Sequence, residues 1–115
     1  MLTVENLKKT GADVESGIAR CAGNEEFYLK IAGMVINSAE YDVLAERIAA
    51  KDLEGAFSSA HSLKGIVANA SLDDLLAPVS EMTELLRAGN GDADYDALLA
   101  QMYERLNAYK ALLTD

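Results

Sequence analysis

The sequence predicts an all-α protein: an antiparallel four-helix bundle with a short additional N-terminal helix, folded as one domain over residues 1–115. Three observations carry that expectation. Apolar residues recur at intervals of three and four along most of the chain, and no sustained alternation marks a strand. Proline occurs once, and the polar breaks between periodic stretches are short, as antiparallel neighbours require. With 115 residues, half of them hydrophobic, the chain suffices for one continuous core but is cramped for two.

The elements follow in order. Asp13 is placed to cap a short helix with Val14, Ile18 and Cys21 on its inner face, ending near Gly23, a residue suited to a left-handed exit. Asn24 starts the next helix, and Glu25 and Glu26 in its first turn suit the helix dipole. Its predicted buried stripe is Phe27, Ile31, Met34, Val35, Leu44 and Ile48, running to about Ala50, with a kink or break around Ser38 to Asp42 where the pattern loosens. Asp52 caps a third helix carrying Leu53, Ala56, Ala60, Leu63 and Val67 on one side and ending near Asn69. Ser71 and Asp74 have the spacing of a capping box, and Leu72, Leu75, Leu76, Val79, Met82, Leu85 and Leu86 form the apolar face of the fourth helix. Pro78 lies within it, removing a backbone donor to Asp74, so a bend or loosened first turn is expected. After the turn at Gly89-Asn90-Gly91-Asp92, a last helix from Asp94 turns Tyr95, Leu98, Leu99, Met102, Leu106, Tyr109, Leu112 and Leu113 inward.

Charge and composition narrow the function. The formal charge of -9 repels nucleic-acid phosphates and anionic lipid, which argues against both as partners. Cys21 is the only cysteine, which excludes an internal disulfide and suits a reducing compartment. No signal-peptide core follows Lys8 and Lys9, and no apolar run approaches the roughly 20 residues that span a bilayer. The expectation is a cytoplasmic protein, monomeric for want of a spare apolar stripe.

The third helix carries the chemistry. At about 100° per residue, Ala56, Ala60, Leu63 and Val67 cluster on one side, which turns His61, the only histidine, towards solvent. Phe57, Ser58, Lys64 and Gly65 share its outer face one turn away, and Ala68 lies two turns on. A glycine inside a helix costs about 1 kcal/mol relative to alanine, so Gly65 beside an exposed histidine suggests close approach of another molecule. Lys64 places a cation where a phosphoryl group on the imidazole would need one.

In these residues the chain resembles the histidine phosphotransfer family, whose motif His-x-Leu-Lys-Gly stands here as His61-Ser62-Leu63-Lys64-Gly65. The resemblance extends through the lead-in "GADVESGIARCAGNEEFY" and the closing helices, over about residues 11 to 113. It departs at Ala70 and Ser71, where the family commonly has an aliphatic residue and then a glycine, and at Pro78. It implies a phosphorelay in two-component signal transduction. His61 would accept a phosphoryl group from a receiver-domain aspartate or a kinase and pass it to a response regulator. The resemblance gives Lys64 the steadying of phosphoryl charge and makes Gly65 the gap that admits the partner; helix geometry extends docking to Phe57, Ser58 and Ala68. The partner, a receiver domain of a response regulator or hybrid sensor histidine kinase, would bring the acidic pocket and its Mg²⁺. The chain itself is then expected to need no metal or cofactor and to be a phosphoprotein carrier rather than an enzyme.

Other chemistries fit worse. A carboxylate-bridged metal bundle needs Glu-x-x-His on two helices, and position 58, three before His61, is serine. Ser–His or Cys–His catalysis has one candidate base, and it points into solvent. Asp73 with Asp74, and Glu81 with Glu84, read as helix-start and solvated-face residues. A helical adaptor that binds a receiver or other signalling partner on the same face, without being phosphorylated, remains the alternative.

Overall fold

The computed structural model describes residues 1–114, and among them it contains seven helices and no strand. They are α1 (Val4–Thr10), α2 (Val14–Arg20), α3 (Glu25–Ile36), α4 (Glu40–Ala49), α5 (Leu53–Asn69), α6 (Asp73–Arg87) and α7 (Tyr95–Leu113). The bundle is built from neighbours in sequence: α4 packs on α5, α5 most extensively on α6, and α6 on α7. The α3 helix closes the ring against α7, while α1 rests on α7 and α2, and α2 on α3. The expected four-helix bundle is thus present, with its first arm divided between α3 and α4.

Side-chain caps start most helices where the sequence placed them. Asp13, Asn24, Asp52 and Asp94 accept hydrogen bonds from the backbone N–H groups of Ser16, Phe27, Gly55 and Ala97. The chain leaves α2 through Gly23 at φ 81°. The break in the first arm falls at residues 37–39, where Ser38 Oγ accepts from Glu40 N–H at 3.1 Å.

Four expectations are corrected. The α1 helix was not anticipated: Thr3 caps it through Asn6 N–H, Lys8 and Lys9 fill its last turn, Leu7 is its one buried residue and Gly11 ends it at φ 133°. The buried face of α3 is Tyr28, Ala32, Val35 and Ile36, so Phe27 and Met34 are exposed. Tyr28 decides this phase. Its hydroxyl donates to the Ala70 carbonyl at 2.8 Å, and its ring lies so close to Gly17 that a Cβ there would stand 2.2 Å from Cε1. The Ser71–Asp74 capping box does not form either. Leu72 is the N-cap with no side-chain bond, and Ser71, at φ 56°, buries an Oγ with no protein partner. Finally, several residues assigned to inner faces are only half-buried, among them Ile18, Cys21, Ile31, Ile48, Leu53, Leu85, Leu99, Leu112 and Leu113.

Pro78 is buried inside α6, which runs through it from Asp73 to Arg87. The Asp74 carbonyl, deprived of its helical donor, accepts instead from Arg105 Nη1 of α7 at 2.7 Å. The Asp74 carboxylate also accepts from the Tyr109 hydroxyl. These bonds seat α7 on the first turn of α6.

Candidate functional site: the outer face of α5

The α5 helix presents one side to the core and one to solvent. Ala56, Ser59, Ala60, Leu63 and Val67 are fully buried, so helix geometry turns Ser58, His61 and Gly65 outward, with Phe57, Lys64 and Ala68 at the margin. Ser59 stays satisfied inside because Arg47 Nη1 of α4 donates to its Oγ at 2.8 Å and to the Gly55 carbonyl at 3.0 Å. At the other end Arg20 Nη1 donates to the Ala68 carbonyl at 2.5 Å, which also accepts from Ser71 N–H, and so joins α2 to the end of α5. The helix is therefore fastened at its back and at both ends.

His61 is exposed in the middle of the outer face, as the sequence predicts. Its ring stacks on Phe57, one turn earlier, with centroids 5.7 Å apart and planes inclined at 22°. Phe57 is half-buried and also packs against the core, so one ring serves as floor to the imidazole and as wedge between helices. Ser58 is exposed on the same face, and Ala68 is half-buried two turns along. At Gly65 no heavy atom lies within 4 Å of the position a Cβ would occupy. Nothing inside the protein requires that residue to be small.

Lys64 is not a free cation. Its Nζ donates to Glu84 Oε1 of α6 at 3.2 Å, and Glu84 Oε2 accepts from Arg87 Nε, also at 3.2 Å. The bond from Lys64 holds the Glu84 carboxyl below its ordinary value, and the Arg87 charge adds to that. The Arg87 guanidinium lies over Phe57, 5.2 Å from the ring centroid. The sequence reading left Glu84 on a solvated face and did not mark Arg87. Their spacing of three residues on one helix was a signal for their own pairing. The approach of α6 to Lys64, 20 residues away in sequence, was not.

A solvent-facing histidine on a packed helix, a cation one turn along and an open glycine beside them form one continuous surface. Comparison with protein families matches residues 36–109 to the Hpt domain. The chain belongs to the Hpt domain family. No curated protein and no solved structure matches it. The matched stretch runs from the end of α3 to within α7 and contains the whole of α5 and α6. Hpt domains are phosphocarriers rather than classical enzymes, and their partners in two-component signalling are receiver domains. Among the described residues of this Hpt domain, no group of three or more His, Cys, Asp and Glu side chains is placed to hold a metal ion. No described helix is long and apolar enough to cross a membrane.

Proposed function

We propose that this Hpt domain is a cytoplasmic, monomeric phosphorelay carrier that takes a phosphoryl group onto His61 from a receiver-domain aspartate and delivers it to a response regulator. The observation that carries the reading is the exposed imidazole of His61, standing on a rigid helix with open space over Gly65 one turn away. A receiver can reach the ring along that gap. Phe57, Ser58 and Ala68 supply the rest of the docking surface, and Lys64 supplies positive charge.

In the transfer, the lone pair of a neutral ring nitrogen forms the new N–P bond. The P–O bond of the aspartyl phosphate breaks, and its electron pair leaves with the partner's carboxylate. The N–H proton stays on the other ring nitrogen, so the product is a phosphoimidazolium and charge is conserved. Loose phosphoryl transfer asks little of covalent catalysis and much of alignment and charge neutralisation. The Phe57 ring limits how the imidazole can tilt, and helix fastening by Arg20 and Arg47 keeps its base still. Any Mg²⁺ belongs to the receiver.

The test is incubation with a phosphorylated receiver domain, comparing the wild type with His61→Gln. Acid-labile, base-stable label on the wild type alone supports the relay. Receiver binding with no label transferred to the wild type would establish the adaptor instead.

A further inference from the structure

We infer that Glu84 is a positioning residue for the phosphoryl group on His61: it holds the Lys64 ammonium in reserve and competes with the phosphoryl group for it. The inference rests on the reading of His61 as phosphoryl acceptor. One carboxylate meets two cations, Lys64 Nζ across the seam between α5 and α6 and Arg87 Nε one turn along α6, each at 3.2 Å. The Arg87 guanidinium covers the same Phe57 ring that stacks on His61. His61, Phe57, Arg87, Glu84 and Lys64 therefore form one chain of contacts that begins and ends on the outer face of α5.

The arrangement suits an exchange of partners. A phosphoryl group on His61 brings up to about two negative charges to within one helical turn of Lys64. The flexible lysine stem lets the ammonium swing from a monoanion to a dianion. Arg87 stays on the other oxygen of Glu84, so the carboxylate is not left without a cation when Lys64 departs. The Lys64 and Glu84 side chains are 36% and 55% exposed, so water screens their pairing and the exchange reverses readily. By drawing Lys64 back, Glu84 keeps the phosphohistidine from being over-stabilised, which favours onward transfer.

The effect is measurable without a partner protein. Phosphoramidate phosphorylates an accessible imidazole directly: its P–N bond breaks, ammonia leaves with the electron pair after protonation, and the ring nitrogen forms the new N–P bond. Decay of phosphohistidine at neutral pH, followed by phosphorus NMR, would be compared in the wild type, Glu84→Gln, Lys64→Ala and the double variant. In hydrolysis without a receiver no aligned partner exploits the neutralised charge, and a cation stabilises the dianionic ground state more than the less charged oxygens of a metaphosphate-like transition state, so Lys64 on the phosphoryl group slows decay. Glu84→Gln is expected to lengthen the lifetime about two- to fivefold, the scale of an exposed ion pair. Lys64→Ala should shorten it, and Glu84→Gln should then add nothing.

An unchanged lifetime in Glu84→Gln overturns the inference. So does equal lengthening in the Lys64→Ala background, which would mean direct repulsion by Glu84 rather than action through Lys64. If the lifetimes shift as expected but no receiver labels His61, the inference stands for the bound phosphoryl group and the relay reading fails. Absence of label on His61 from phosphoramidate overturns both. Circular dichroism of each variant, all altered at partly or fully exposed positions, verifies that the helices are retained.

Discussion

Ser71 occupies a backbone conformation that few residues other than glycine adopt without strain. At φ 56° its Cβ crowds the following carbonyl, and its buried hydroxyl finds no protein acceptor or donor. The left-handed conformation costs about 1–2 kcal/mol, and a buried unpaired hydroxyl about 1–3 kcal/mol. The conformational freedom glycine loses on folding offsets about 0.5–1 kcal/mol of this. Ser71→Gly is therefore expected to raise stability by about 1 kcal/mol, read as a higher urea midpoint at unchanged slope. A lower midpoint would contradict the strain argument. The turn after α5 thus has a backbone geometry that suits glycine. Gly65 is the opposite case, a glycine in ordinary helical conformation with vacant space above it. Gly65→Gln is expected to leave the fold intact and stabilise it by a few tenths of a kcal/mol, about the propensity difference. Receiver-dependent transfer should slow tenfold or more, since a side chain would fill the approach to His61. Normal transfer kinetics in that variant would remove Gly65 from the docking account.

At the scale of the element, α6 shows how a local rule is broken and repaired from another helix. Pro78 withdraws the N–H that would have met the Asp74 carbonyl, and Arg105 on α7 provides a donor in its place. A fully buried unsatisfied carbonyl costs about 1–3 kcal/mol, and the Asp74 carbonyl is part-buried, so Arg105→Met should destabilise the protein by about 1 kcal/mol in chemical denaturation. In a Pro78→Ala background residue 78 regains its own N–H, and the same substitution should cost less than half as much. Equal costs in the two backgrounds would show that Arg105 does not act through the freed carbonyl. The sequence signals a defect at Pro78 but not its repair, because Arg105 lies 31 residues beyond the Asp74 carbonyl that it satisfies. The α3 helix was misread for a different reason. It is apolar on several sides, so stripes built on Phe27 and on Tyr28 are both plausible by period alone. Only the Ala70 carbonyl and the space at Gly17 select Tyr28.

Across the whole molecule, all five tyrosines have phenols held above their ordinary value, with burial the first cause in each. Tyr28 is pushed up to about 12. Tyr41, Tyr103 and Tyr109 go higher, the last two also because Asp42 and Asp74 accept their protons in hydrogen bonds. The sign of the linkage follows. Above the ordinary phenol value of about 10 the unfolded chain has released protons that the folded one retains, so stability falls as pH rises. A phenolate absorbance titration should lag that of free tyrosine, and the late rise should coincide with loss of helical circular dichroism. Phenolate formation near pH 10 with helices intact would contradict this. Glu84 works in the other direction: the Lys64 bond holds its carboxyl below its ordinary value, so the pair stays closed to lower pH than an unpaired glutamate would allow and opens as that carboxyl is protonated. An NMR titration of the Glu84 side chain checks the direction.

The helical class, the caps at Asp13 and Asp52, the helix starts at Asn24 and Asp94, the exposed His61 and the course of α5 were legible in the chain alone, because each depends on neighbours within a turn or two. Ala56, Ala60, Leu63 and Val67 leave one inward face open to α5, and His61 cannot share it. Tertiary structure alone decided which face of α3 is buried, that Ser71 enters the left-handed region instead of capping α6, and that Lys64 is held by Glu84. Those outcomes are contacts between helices, set by which carbonyl, cavity or charge a packed neighbour presents, and periodicity carries no record of that.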